Sequence, residues 1–111
     1  MANIFDIPAG KADQERCDVL AQGPETRIER IISQGHASPP GFWYDQVQDE
    51  WVCLLQGEAQ VAWEHGQIQK LVPGDWLFIP AHARHRIVNT SIAPPCIWLA
   101  VHGQLGGFGS R

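Results

Sequence analysis

No run of apolar residues in this chain approaches the roughly 20 needed to cross a bilayer as a helix. The opening stretch, Met1 to Gly10, also lacks the basic-then-apolar order of a secretion signal. Together these lacks predict a cytoplasmic protein with no membrane partner. Positive charge is scarce too: 8 Lys and Arg stand against 12 Asp and Glu, for a formal net charge of −4. Those few cations are scattered and form no stripe that could neutralise a phosphate backbone, which argues against a nucleic-acid partner. Cysteine is equally thin. Cys17, Cys53 and Cys96 are odd in number and widely spaced, which suits neither a disulfide framework nor a CxxC zinc knuckle. Reduced thiols are expected, with Cys53 buried and inert inside the apolar run Trp51 to Leu55.

Turns and short strands are what the chain does have. Apolar residues make up 44% and charged residues 18% of its 111 residues, enough for one hydrophobic core. Punctuation recurs at Gly23-Pro24, Gly35, Pro39-Pro40-Gly41, Gly57, Gly66, Pro73-Gly74, Pro80 and Pro94-Pro95. Between these marks lie segments rich in β-branched and aromatic residues: Arg27 to Ser33, Glu50 to Gln56, Ala59 to Glu64, Gln67 to Val72, Trp76 to Ile79, His85 to Asn89 and Cys96 to His102. Strands at this spacing predict an all-β sandwich or barrel. Lys11 to Leu20 reads equally as a short helix or as an edge strand over Glu15 to Leu20. The chain therefore divides into an N-terminal edge or interface segment (1–26), a barrel (27–102) and a mobile glycine-rich tail (103–111).

The segment from Gly74 to Asn89 resembles the second motif of the cupin family, G-x5-P-x-G-x2-H-x3-N. It matches at Gly74, Pro80, His85 and Asn89, and His82 stands in place of the middle glycine. The first motif, G-x5-H-x-H-x(3,4)-E-x6-G, is half present: Glu50 and Gly57 keep the required separation, Gly41 lies near the start, and both histidines are missing. Counting back from Glu50, the second histidine falls on Asp45 with the longer gap or Gln46 with the shorter one, and the first on Trp43 or Tyr44. The resemblance implies a small double-stranded β-helix, or jelly-roll barrel, with a ligand site inside. It also implies a homodimer, for which Asn3 to Leu20 is the expected interface strand.

By the same resemblance the site holds a divalent metal (Fe, Mn, Ni or Zn) on Glu50, His85 and Asp45, with Gln46 as the substitute in the other register. His82 is a further candidate ligand. Glu50 and His85 are the expected catalytic pair, while Trp43, Tyr44, Gln46 and Asn89 are expected to line the pocket. By strand alternation His85, Ile87 and Asn89 share the inner face. The bland alternative is that Glu50 and His85 form a hydrogen-bonded pair without a metal. Three functions follow: a metal-dependent oxygenase, isomerase or lyase acting on a small molecule, a non-catalytic small-ligand binder, or a metal-free sugar-epimerase-like enzyme. Nothing in the sequence says which way His102 faces. His36 and His65 are expected in a rim loop and at a hairpin tip, and the strand tryptophans Trp51, Trp63, Trp76 and Trp98 as packing.

Overall fold

Alternating side chains and frequent turns fold here into eight antiparallel strands. The structure is a computed structural model that describes residues 2–10 and 12–106. Its strands are β1 (Arg16–Gln22), β2 (Arg27–Ser33), β3 (Asp49–Gln56), β4 (Ala59–Trp63), β5 (Ile68–Leu71), β6 (Trp76–Ile79), β7 (His85–Thr90) and β8 (Cys96–Gly103). They form a five-stranded sheet of order β1-β2-β8-β3-β6 and a three-stranded sheet of order β5-β4-β7. The architecture is all-β, a jelly-roll barrel. Among the described residues no helix is long and apolar enough to cross a membrane. The ambiguous N-terminal segment is a strand at the sheet edge, where β1 pairs with β2 from Arg16↔Ile32 to Gln22↔Arg27. Of the expected tail, Gly103 closes β8, and residues 107–111 lie outside the described residues.

Burial follows the two-residue period of the strands. In β3 the buried positions are Glu50, Val52 and Leu54. In β8 Trp98, Ala100 and His102 turn inward beside them, and Ala59, Val61, Leu71 and Ile79 complete the core. Polar residues interrupt this apolar layer, Glu50, His85 and His102 among them, with Ser33, Ser38 and Thr90 also buried. Gly57 explains the close of the first motif. Its φ is +90°, and a Cβ there would sit 2.8 Å from Cys96 Sγ and 2.9 Å from Cys96 Cα. Only glycine fits without moving the start of β8.

One expectation of facing fails in β7. Gln60 pairs with Asn89 but its neighbour Val61 pairs with Ile87, so Val88 is an extra residue and the register shifts there. Such a bulge reverses the alternation beyond it. Asn89 is consequently exposed and donates to Gln60 Oε1 at 2.9 Å, while Thr90 turns in and donates to the His36 carbonyl at 2.6 Å.

Candidate functional site

The inner faces of the two sheets leave a cavity of about 230 Å³. Its walls are mostly apolar, with Ile31, Val52, Ile79, Ile87 and Trp98 among them, and its polar groups are Glu15, Glu29, Glu50, His85, His102, Tyr44, Gln46 and Cys17. Among the described residues no Lys or Arg lines it. A cavity of this size lies below the roughly 300–1,000 Å³ of drug-sized pockets and suits a small molecule.

Strand pairing places the first cluster. Glu50 on β3 lies directly opposite His102 on β8, and β8 in turn pairs with β2, which carries Glu29. His102 Nε2 lies 3.0 Å from Glu29 Oε1 and 3.9 Å from Glu50 Oε2, so the imidazole sits between two carboxylates. Outside this chain, Arg27 Nε meets Glu29 Oε2 at 3.0 Å. Neither Glu29 nor His102 was expected in the site. Alternation along β8 from the buried Trp98 and Ala100 leads to His102, but which face is inner follows only once the strands are paired.

His85 enters from the other sheet, 4% exposed. Its ring lies between Tyr44 and Trp63, with centroids 5.4 Å and 5.8 Å away. Nδ1 lies 2.9 Å from the Ala83 carbonyl, which can only accept, so Nδ1 carries the proton and Nε2 holds the lone pair of the neutral ring. Two contacts brace the loop before it. Asp49 Oδ1 accepts the Ala81 N–H at 2.8 Å, and the Gln46 carbonyl accepts the His82 N–H at 2.7 Å. The Ala81 bond, and after it one from the Leu105 N–H to Asp49 Oδ2 at 3.0 Å, hold the Asp49 carboxyl below the usual range.

The segment before β3 alternates as a strand would. Tyr44 exchanges backbone hydrogen bonds with His85, and Tyr44 and Gln46 line the cavity, whereas Trp43 and Asp45 do not. Gln46 therefore occupies the inner position, as in the shorter-gap register, and its side chain bonds Glu50. Asp45 points outward and its Oδ1 meets His82 Nδ1 at 2.8 Å, with the two side chains 47% and 66% exposed. His82 keeps the backbone of the glycine it replaces, at φ 65°.

These placements bear on the expected metal. Of the expected ligands, Glu50 and His85 reach the cavity while Asp45 and His82 are turned to solvent and to each other. His102, which does reach it, directs Nε2 at Glu29. Among the described residues no three His, Cys, Asp or Glu side chains are gathered so that they could share one ion. The donor set as folded does not fit the expected metal centre.

Burial pushes the Glu50 carboxyl above its usual range, and the neighbouring His102 and His85 and the Gln46 hydrogen bond only partly oppose this. The Tyr44 hydroxyl and the Cys17 thiol are likewise raised, first by burial and then by nearby carboxylates including Glu15. A carboxyl that holds its proton to higher pH than an exposed one, in one cavity with an imidazole, is equipped to give and take a proton.

A family model described as "Cupin domain" matches residues 30–102. The solved structures that the chain is similar to include a protein of Ralstonia eutropha JMP134 described as a "putative mannose-6-phosphate isomerase". It is 47% identical over 95% of this chain and 98% of that one, with a TM-score of 0.88. A cupin superfamily protein of Desulfitobacterium hafniense DCB-2 is 24% identical over 88% of this chain and 84% of that one, with a TM-score of 0.72, a likeness of fold alone. Comparison with curated proteins found no match.

Proposed function

The chain belongs to the cupin domain family, and from that premise we propose that its cavity binds a small organic molecule and moves a proton within it, with Glu50 and His85 as the acid–base pair. The observation that carries this reading is the buried Glu50 carboxyl, raised by desolvation, sharing a cavity with an imidazole whose Nδ1 is fixed and whose Nε2 is free. An isomerisation that shifts a proton between neighbouring carbons needs a base on one atom and an acid on the next. The Ralstonia relative is likewise described as an isomerase. The phosphate in that name finds less support, because among the described residues no Lys or Arg lines the cavity. No step in this reading passes through a metal. Gln46 orients Glu50, with His102 3.9 Å away, and the aromatic rings of Tyr44 and Trp63 hold the His85 plane.

The test is carbon–hydrogen exchange. Hydroxyacetone incubated in D2O with the protein should take up carbon-bound deuterium, read by NMR, at least tenfold faster than in buffer, and Glu50→Gln should abolish the gain. Exchange at the buffer rate would overturn the catalytic reading and leave a binding module. A homodimer is part of the same proposal. β1 is an edge strand, and Val19 and Leu20 on it are 51% and 47% exposed, an apolar edge that a second copy would cover. Light scattering giving a monomer mass would refute it.

A further inference from the structure

The cavity has an uneven inventory of donors and acceptors. The Gln46 amide is directed at Glu50, His102 Nε2 at Glu29, and the Tyr44 hydroxyl meets Ser38. Ser33 Oγ donates to Glu15 Oε2 at 2.5 Å. The stronger donors are thus engaged with protein groups, and the Cys17 thiol in the wall is a weak donor only. What the wall offers a ligand is the remaining acceptor capacity of three carboxylates, together with His85 Nε2, which belongs to a side chain 4% exposed and has no partner among the described residues. A ligand that satisfies this wall must donate.

Charge narrows the choice further. Three carboxylates face the cavity, and Arg27, which meets Glu29 at Oε2, does not line the space. An anion entering here would meet like charge in surroundings of low dielectric, which costs far more than at a surface. A cation would relieve the desolvated Glu50 carboxylate and could also rest against the faces of Tyr44 and Trp98. The rest of the wall is aliphatic. We infer that the cavity selects a small organic ammonium ion, with its nitrogen between Glu50 and His85 and an apolar body against Val52, Ile79 and Ile87. This deepens the proposed function and rests on that cavity being the working site.

Three four-carbon probes of nearly equal shape and different charge test it by calorimetric titration at neutral pH: butylammonium, 1-butanol and butyrate. Butylammonium should bind at least tenfold more tightly than butanol, and butyrate should give no detectable heat. Glu50→Gln should cut the butylammonium affinity at least tenfold and the butanol affinity much less, with Glu15→Gln as a second variant should the first fail to fold. Butyrate or butanol binding as tightly as butylammonium would overturn the inference, as would silence from all three. The two readings fail separately. Deuterium exchange with the wrong charge order sinks the ammonium assignment alone, and the right charge order without exchange sinks the catalysis alone.

Discussion

Two carboxylate–imidazole pairs in this molecule have nearly the same geometry and opposite surroundings. Glu29 and His102 meet at 3.0 Å with side chains 12% and 8% exposed, while Asp45 and His82 meet at 2.8 Å with side chains 47% and 66% exposed. The inner pair is a link in a chain from Arg27 to Glu50, and its groups have lost most of their water. The outer pair joins two rim loops and keeps its water. Distance alone would rank them equal. Burial separates them, because a charge that has left water depends on its partner and one still in water scarcely does.

The largest expected effect follows from that contrast. Removing His102 takes the imidazole from between Glu29 and Glu50 and leaves Glu29 with Arg27 alone, so His102→Ala should cost about 2 kcal/mol of unfolding free energy in a denaturant titration, within the range for buried polar groups that lose a partner. Asp45→Ala should cost less than about 0.5 kcal/mol. Similar losses in the two variants would erase the comparison.

The next effect is a pH dependence inside the same cavity. Glu50 is raised in the folded state above its ordinary 4.5. The folded protein therefore holds this proton over a range where the unfolded chain has released it. Stability from this group is present below the ordinary value and is lost as pH rises through the folded one. Glu50→Gln should flatten that fall. Denaturation midpoints measured from pH 4 to 8 should converge at the acid end and leave the variant more stable at the alkaline end. A fall of the same slope in both proteins would show that Glu50 is not its source.

Much of this arrangement was legible beforehand, and the gaps have physical causes. The strands were readable because turn residues bound runs of β-branched and aromatic side chains, as in His85 to Thr90. Asn89 was misplaced because the bulge at Val88 has no marker in the residues themselves. Asp45 and Gln46 could not be separated because neighbours on an extended segment face opposite ways, and the two gap lengths exchange their roles. Glu29 and His102 went unseen for another reason. Their meeting depends on the register between β2 and β8, residues far apart in the chain, and local periodicity says nothing about which strands become neighbours.

The affinity of the cavity sharpens the comparison from the other side. Gln46→Ala removes the amide that bonds Glu50 and should weaken butylammonium binding several-fold, since the carboxylate loses its orientation. Asp45→Ala, one residue earlier and outside the cavity, should leave that affinity within about twofold. Calorimetry on the two variants checks both statements. A larger loss in Asp45→Ala would place the working site at the rim.

The smallest effect concerns the outer pair alone. His82 holds a left-handed backbone, φ 65°, where glycine would be unstrained, at a penalty on the order of 1 kcal/mol for a residue with a Cβ. His82→Gly removes that strain and with it the contact to Asp45, worth less than about 0.5 kcal/mol at such exposure. The two terms oppose each other, so the single variant should be only slightly more stable than the wild type. In an Asp45→Ala background the contact is already gone, and His82→Gly should then recover nearly the whole strain energy. The difference between the two backgrounds isolates the outer pair. It should stay below about 0.5 kcal/mol and shrink further in 1 M salt. A coupling as large as the loss in His102→Ala would mean that the rim pair holds the two loops together despite its water, and that burial is not what separates the two pairs.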